Sequence, residues 1–357
     1  MSESKPWAQM SSAELVQHTS DEIRGLLPGT AVSIIRDRFL EPSAYHKAYF
    51  AAVIKEGRPE LPYSEIFEAL SYEPGRLKSV LYSLNEYHQI LSGDRGQRVF
   101  LGYQPLDALL RGIRPGQVLG IMGRAGVAKT AIAVNVIANI FRMIDSHPVL
   151  LFSLEMPGAE MVARLFCIDC RETPERLDGY LSEAQGDPRL AAWSRRYQDM
   201  VIVDEGGMTV EDIEKTHGEA EAYLGKRIPL VIIDYLGLLR GPGANSYERV
   251  SNIARELKGA AKRLSCALLV LLQTSRQGGT GGDRVTLNMA RDSGAIEESA
   301  DFLLGVWRPE LSEKGGAEGE LIIAVLKNRH GPGGESSFYF NKKTLRIEAG
   351  SHGEPTG

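Results

Sequence analysis

The pattern of apolar and polar positions changes near residue 95. Before it, apolar residues recur at the spacing of amphipathic helices over residues 12–27, 45–55, 63–70 and 74–91. Glycine- and proline-containing breakers separate these segments, and residues 92–97 have the composition of a linker. The pattern predicts a helical N-terminal domain and linker over residues 1–95. A helix-turn-helix can be drawn through residues 63–84, but the same pattern is common in helical domains that bind no DNA.

From residue 117 the pattern consists of short apolar runs rich in valine, isoleucine and leucine, at 118–122, 149–154, 200–203, 230–233 and 267–272. Amphipathic segments separate these runs. Strands buried on both faces and joined by helices predict an α/β fold with a mostly parallel sheet and flanking helices. After the run at 302–307, the segments 320–326 and 336–347 predict an antiparallel extension at one edge. This second domain is expected over residues 96–348, followed by a flexible tail over 349–357.

Composition narrows the class of protein. The 357 residues include 46 acidic and 41 basic residues, a net charge of −5, which argues against a basic coat for nucleic acid but permits a locally basic channel. We expect no membrane span, because no apolar stretch approaches the roughly 18 residues required. The N-terminus lacks a signal-peptide pattern and there are three cysteines, so a reducing, cytoplasmic setting is expected. Cys167 and Cys170 have no second pair to complete a zinc site and are interpreted as core residues.

A glycine-rich loop between a strand and a helix carries the strongest chemical signal. Its backbone N–H groups and the helix N-terminus are suited to surround phosphates, with the lysine reaching the β and γ oxygens and the threonine hydroxyl binding Mg²⁺. The usual glycine before the lysine is replaced by Ala128, whose Cβ is expected to crowd the phosphates or strain the turn. The predicted nucleotide-binding residues are Gly123, Arg124, Ala125, Gly126, Val127, Ala128, Lys129, Thr130 and Ala131.

Two carboxylates follow apolar runs of the same sheet. Asp234 ends the run at 230–233, where a strand-end carboxylate is expected to hold Mg²⁺ through water. Glu155 follows the run at 149–154 and is placed at the carboxyl edge of the sheet, where ligands bind in open α/β folds. Glu155 is therefore the predicted general base for an attacking water, the alternative being a glutamate that only complements a helix dipole.

Several ordered motifs resemble the C-terminal ATPase domain of DnaB-type replicative helicases, which are RecA-like ring ATPases. The resemblance covers residues 99–348, and a looser similarity to the family's N-terminal helical domain covers residues 39–70. Besides the phosphate loop, the motifs are LGYQPLD at 101–107, FSLEM at 152–156, IDYL at 233–236, LQTSR at 272–276, RDSGAIE at 291–297 with Ala300 and Asp301, and KNRHGP at 327–332.

The resemblance implies a role for each matching position. Lys129 and Thr130 become the phosphate and metal ligands, Glu155 the base and Asp234 the metal-linked acid. Gln273 is expected to sense the γ-phosphate at the tip of its strand.

The resemblance also implies a residue that acts in the site of a neighbouring subunit. Arg329, with Lys327 beside it, resembles the arginine finger that such rings insert into the neighbouring subunit's site. A surface charge on a hairpin is the alternative for Arg329. Arg164 matches a family arginine near the site, and a helix-surface salt bridge explains it nearly as well.

For DNA, the resemblance points to channel-facing loops at 240–246 and 277–284 and to the segment that follows. Glycine-rich loops suit backbone contacts to phosphates, which give little sequence preference. Arg291 and Gly294 are the best candidates, with neighbouring Asp292 standing where the family has glutamate. Arg276 is open to a second interpretation, as a residue that caps a strand.

Taken together, the sequence predicts a RecA-like ATPase that forms a homo-oligomeric ring, expected to be a hexamer. It would use ATP and Mg²⁺ to translocate 5′ to 3′ on single-stranded DNA and to unwind forked duplex DNA during replication, with a primase or loader as further partner. One alternative is a recombination or repair ATPase of the RecA or RadA type, which the shortened N-terminal domain keeps open. The other is a nucleotide-gated assembly protein in which Ala128 weakens turnover.

Overall fold

The computed structural model describes residues 18, 98–143, 147–183, 188–274, 282–287, 289, 294–311 and 317–349. The chain divides into two compact units, Met1–Arg95 and Gly96–Gly357. The predicted helices of residues 12–91 fall outside the described residues, apart from His18, which is helical. The described fold is therefore that of the second unit.

In the described part of the second unit, helices separate the parallel strands, and the last four strands follow one another without an intervening α-helix. The helices are α1 Gln104–Leu110, α2 Lys129–Arg142, α3 Gly158–Cys170, α4 Pro174–Glu183, α5 Pro188–Arg196, α6 Val210–Leu224, α7 Ser246–Leu264 and α8 Gly294–Ser299, with 3₁₀ turns at Leu236–Leu238 and Pro309–Leu311. The strands are β1 Val118–Gly123, β2 Val149–Ser153, β3 Met200–Val203, β4 Leu230–Asp234, β5 Ala267–Gln273, β6 Phe302–Trp307, β7 Glu320–Asn328, β8 Gly334–Phe340 and β9 Ile347–Ala349.

The nine strands of the described residues form one sheet in the order β3-β2-β4-β5-β1-β6-β7-β8-β9. The strands from β3 to β6 in that order are parallel, and β7, β8 and β9 add an antiparallel extension beyond β6. The predicted fold class, a mostly parallel sheet with flanking helices and an antiparallel edge, is confirmed.

The predicted single strand over residues 336–347 is wrong. Two antiparallel strands, β8 and β9, occupy this region and are joined by a turn in which Asn341 N donates to Arg346 O at 2.8 Å. Leu345 has φ +57° in this turn, which an extended strand does not permit. Strand β9 also reaches Ala349, one residue beyond the predicted end of the domain.

Both faces of the parallel sheet are buried, which explains the continuous apolar runs. Side chains alternate between the faces, so Leu119 and Ile121 of β1 belong to one core cluster and Val118 and Met122 to the other. Helices α2 and α3 cover the first face, and α6 and α7 cover the second. The result is a three-layer α/β/α structure in which the loops at the strand ends remain available to a ligand.

The described residues include no helix that is long and apolar enough to span a bilayer.

Candidate active site

The loop between β1 and α2 has the backbone conformation of a phosphate-binding loop. Gly126 and Ala128 both adopt left-handed φ angles, +76° and +78°. Ala128 is the N-cap of α2, and among the described residues no side chain caps this helix. The first N–H groups of α2 are therefore suited to an anion such as a phosphate.

Gly123 and Ala128 show different constraints within this loop. A Cβ at Gly123 would lie 2.7 Å from Val306 O and 2.8 Å from Val127 Cγ2, so only glycine fits there. Ala128 already carries a Cβ at positive φ, which costs about 1–2 kcal/mol relative to an unstrained alanine. The loop keeps its turn despite the missing glycine, and the expected strain is present at Ala128.

Lys129 folds back over its own loop. Its ammonium group donates to the carbonyl oxygens of Gly123 at 2.9 Å and Arg124 at 2.7 Å. Burial lowers its pKa from 10.5 to about 8, against the opposing effect of the negative charges of Asp234 and Glu155. A phosphate group would supply this half-buried cation with a compensating charge.

Thr130 and Asp234 meet across the sheet although 104 positions separate them, and Thr130 Oγ1 donates to Asp234 Oδ2 at 2.7 Å. Asp234 ends β4 and is 3% exposed. Burial raises the pKa of this carboxyl and the charge of Glu155 adds to that rise, whereas the Thr130 hydroxyl, Lys129 and Arg164 lower it. A hydroxyl and a carboxylate side by side are the hard oxygen donors that Mg²⁺ prefers, so the residues present fit this ion.

Glu155 lies in an exposed turn, and three hydrogen bonds stabilise the residues around it. Ser153 Oγ donates to Met156 O at 2.6 Å, and Leu154 N donates to Asp234 O at 2.8 Å. Gly158 N, at the start of α3, donates to Asp204 Oδ2 at 2.7 Å. The sequence interpretation missed Asp204, although it directly follows the predicted strand at 200–203 in the same way that Asp234 follows the apolar run at 230–233.

These groups surround one cavity of about 340 Å³. Ten of the predicted site residues line it: Ala125, Gly126, Ala128, Lys129, Thr130, Ala131, Glu155, Arg164, Asp234 and Gln273. Its other lining residues, which sequence reasoning missed, are Met156, Tyr235, Phe340 and Leu345. Phe340 and Leu345 come from the antiparallel extension and are apolar, so they carry no chemical signal in the sequence. Val127 is fully buried beneath the loop.

Gln273 is the exposed last residue of β5 and lies directly beside Gly123 in the sheet register. The next residue binds the loop as well, since Thr274 N donates to Gly123 O at 3.2 Å. The end of β5 therefore contacts the phosphate loop, which suits a residue that responds to the γ-phosphate.

Arg329 and Lys327 lie away from this cavity, at the amino edge of the sheet. Arg329 N donates to Asp301 O at 3.1 Å, and Asp301 N donates to Val118 O at 2.9 Å at the start of β1. Since β1 spans six residues, its two ends are about 16 Å apart at roughly 3.3 Å per residue. An arginine so placed is far from the cavity of its own chain.

The candidate DNA segment is described only in part. Arg291 and Asp292 lie outside the described residues, as does Arg276, and Gly294 is the first residue of α8. In the other predicted loop, Arg240 packs against the turn before α6: a Cβ on Gly207 would lie 2.8 Å from Arg240 Cζ.

Comparison with known proteins gives consistent matches. Residues 99–349 match the DnaB-like helicase C terminal domain family. Replicative DNA helicase DnaC of Bacillus subtilis (strain 168) is 31% identical over 249 residues, with 68% of this chain and 54% of that protein covered. The chain thus spans about half the length of the curated relatives it matches.

Two solved structures resemble the fold. An ATPase domain superposes with a TM-score of 0.67 at 25% identity, over 77% of this chain and all of that domain. A DnaB-like replicative helicase studied for its interactions with primase superposes with a TM-score of 0.63 at 23% identity, over 94% of this chain and 77% of that one.

Proposed function

Because the chain belongs to the DnaB-like helicase C-terminal domain family, we propose that it is an ATP-dependent, ring-forming DNA helicase. It translocates 5′ to 3′ on single-stranded DNA and unwinds forked duplex DNA during replication. The observation that carries the proposal is the convergence of Lys129, Thr130, Glu155, Asp234 and Gln273 on one cavity.

Each of these groups has a task in hydrolysis. Lys129 neutralises charge on the γ-phosphoryl group, and Glu155 orients and deprotonates the attacking water. Thr130, and Asp234 through water, would hold Mg²⁺, which would supply positive charge at the β- and γ-phosphates. Gln273, at the end of β5 beside the loop, reports the state of the γ-phosphate to the rest of the domain, and Arg164 adds positive charge to the cavity wall.

Arg329 acts in the site of a neighbouring subunit. It lies at the amino edge of the sheet, near the end of β1 that is opposite the phosphate loop, and β1 is about 16 Å long. A guanidinium placed this way stabilises transition-state charge in trans, as arginine fingers do. The site is then complete only in an oligomer, and we assign a hexameric ring.

Single-stranded DNA is assigned to Arg291, Asp292 and Gly294. Contacts from such a segment to phosphates require no base recognition, so little sequence preference is expected. The proposal extends to a primase or loader as partner, since one structural neighbour is a DnaB-like replicative helicase studied with primase. It also places the protein in the cytoplasm.

The test is ATP-dependent strand separation of a forked DNA with a free 5′ tail. Glu155→Gln keeps the size of the side chain and removes its charge, so we expect it to abolish unwinding. Glu160→Gln is the matched control, because Glu160 is also exposed and lies in the first turn of α3, outside the cavity. The control should unwind as the natural chain does.

The outcomes separate the alternatives. Unwinding by the natural chain and by Glu160→Gln, but not by Glu155→Gln, supports a helicase that tolerates Ala128. ATP hydrolysis with strand exchange but no unwinding contradicts the proposal and identifies a recombination ATPase. ATP binding without turnover contradicts it in favour of a nucleotide-gated assembly protein.

A further inference from the structure

A buried carboxylate, Asp301, joins the central sheet to the segment that carries Arg329. Asp301 is 5% exposed. Its Oδ2 accepts from Val118 N at 2.8 Å and from Lys258 Nζ at 2.6 Å. Its Oδ1 lies 3.6 Å from the Arg329 guanidinium. The two oxygens are thus divided between the core of the domain and Arg329.

The core side of this arrangement is rigid. Val118 begins β1, the strand that leads into the phosphate loop, and Lys258 projects from α7. Lys258 Nζ also donates to Gly116 O at 2.7 Å. A buried charge is costly unless it is paired and hydrogen-bonded, and both requirements are met at Oδ2. The carboxylate therefore cannot rotate without breaking several contacts.

Lys327 and Arg329 differ in what their side chains contact. Lys327 Nζ donates to Ala300 O at 2.8 Å and to Glu297 O, so its charge is committed to the carbonyl end of α8. The Arg329 side chain is 43% exposed and its guanidinium donates to Glu298 O. One side of the Arg329 guanidinium is thus bound within its own chain, and the other side is exposed to solvent.

We propose that Asp301 is a positioning residue for Arg329. Its carboxylate fixes the guanidinium relative to β1 and α8, so that the exposed side is presented to a neighbouring subunit in one orientation. The inference rests on the proposed function, because it requires that Arg329 acts in trans. Lys327 supports the same segment through its hydrogen bonds to the carbonyl end of α8.

The first test measures steady-state ATP turnover by the full chain without DNA. Asp301→Asn should lower kcat about 10- to 100-fold, as misplacement of a catalytic group does, with little change in KM for ATP. Lys258→Gln is the matched control, because it breaks the same buried ion pair and leaves Asp301 facing Arg329. A kcat for Asp301→Asn no lower than that of Lys258→Gln would overturn the inference. If Asp301→Asn does not fold, Asp301→Glu, which moves the charge by one methylene group, carries the same expectation.

A double variant separates positioning from general stability. In the Arg329→Ala background, Asp301→Asn should cause no further loss of kcat, since the group that it positions is absent. Full additivity of the two losses would indicate an unrelated structural role and contradict the inference.

Mixed assemblies distinguish failure of the inference from failure of the proposed function. Lys129→Ala subunits have a defective site but an intact Arg329, whereas Arg329→Ala subunits have an intact site and lack the arginine. Assemblies that contain both subunits, purified through a different tag on each, should therefore regain turnover. No recovery there would contradict the trans role itself. Recovery with Arg329→Ala subunits but not with Asp301→Asn subunits would leave the proposed function standing and refute the role of Asp301.

Discussion

The affinity for ATP should fall as the pH rises through 8, because of the half-buried ammonium group of Lys129. This group lies against the Gly123 and Arg124 carbonyl oxygens, and burial lowers its pKa to about 8. Only the protonated form of Lys129 attracts phosphate. With a pKa near 8, about nine tenths of the Lys129 side chains are protonated at pH 7 and about one tenth at pH 9. The Kd for ATP should therefore rise about tenfold between these values.

Titration calorimetry with Mg²⁺ and ATP from pH 7.5 to 9.5 measures this effect, in a range where the γ-phosphate is already ionised. Each protein carries Glu155→Gln, so that the ATP is not hydrolysed during the titration. Binding should take up about one proton at the upper end, because the phosphates restore the charge of Lys129. The matched control is Lys129→Arg, whose guanidinium stays charged across the range and whose Kd should not vary with pH. A Kd of the Glu155→Gln protein with Lys129 in place that changes less than about twofold, without proton uptake, would refute the reasoning.

Three further predictions concern the phosphate loop, the turn that carries Glu155, and the pair Lys129 and Arg329. Gly126→Ala should lower the free energy of unfolding by about 1 kcal/mol, measured by denaturant titration, because φ is +76° and the new methyl would meet no atom of the described residues within 4 Å. Ala128→Gly, at nearly the same φ, should not destabilise, and a loss there would contradict the strain argument. Asp204→Ala should lower kcat for ATP with KM little changed, since the turn that carries the catalytic glutamate loses a hydrogen bond. Asp204→Asn can still accept that hydrogen bond and should retain more activity. Equal losses of kcat in the two variants would argue against a role for this contact. Lys129→Ala should abolish nucleotide binding or turnover, whereas Arg329→Ala should spare binding and lower kcat by about 10³-fold; normal turnover in the latter would exclude a finger.

Much of the fold could be predicted from the sequence because its signals are local. Continuous apolar runs of four to six residues predict strands that are buried on both faces, and the described strands β1 to β6 follow those runs closely. The phosphate loop is equally local, since its glycines, its lysine and the start of α2 lie within eight consecutive positions. The turn between β8 and β9 was missed because residues 336–347 contain no glycine or proline to mark it.

Whether the site residues meet depends on strand order, which local pattern does not specify. The order β2-β4-β5-β1 brings the ends of four strands to one edge, so that Thr130 contacts Asp234 across 104 positions. The same topology adds Phe340 to the cavity and places Arg329 at the opposite edge, beside Asp301. These relations arise from hydrogen bonds between strands distant in the chain and from packing on both faces of the sheet. The sequence by itself therefore determines which reactive side chains the chain carries. Only the assembled sheet brings some of them together in one cavity and places Arg329 far from it.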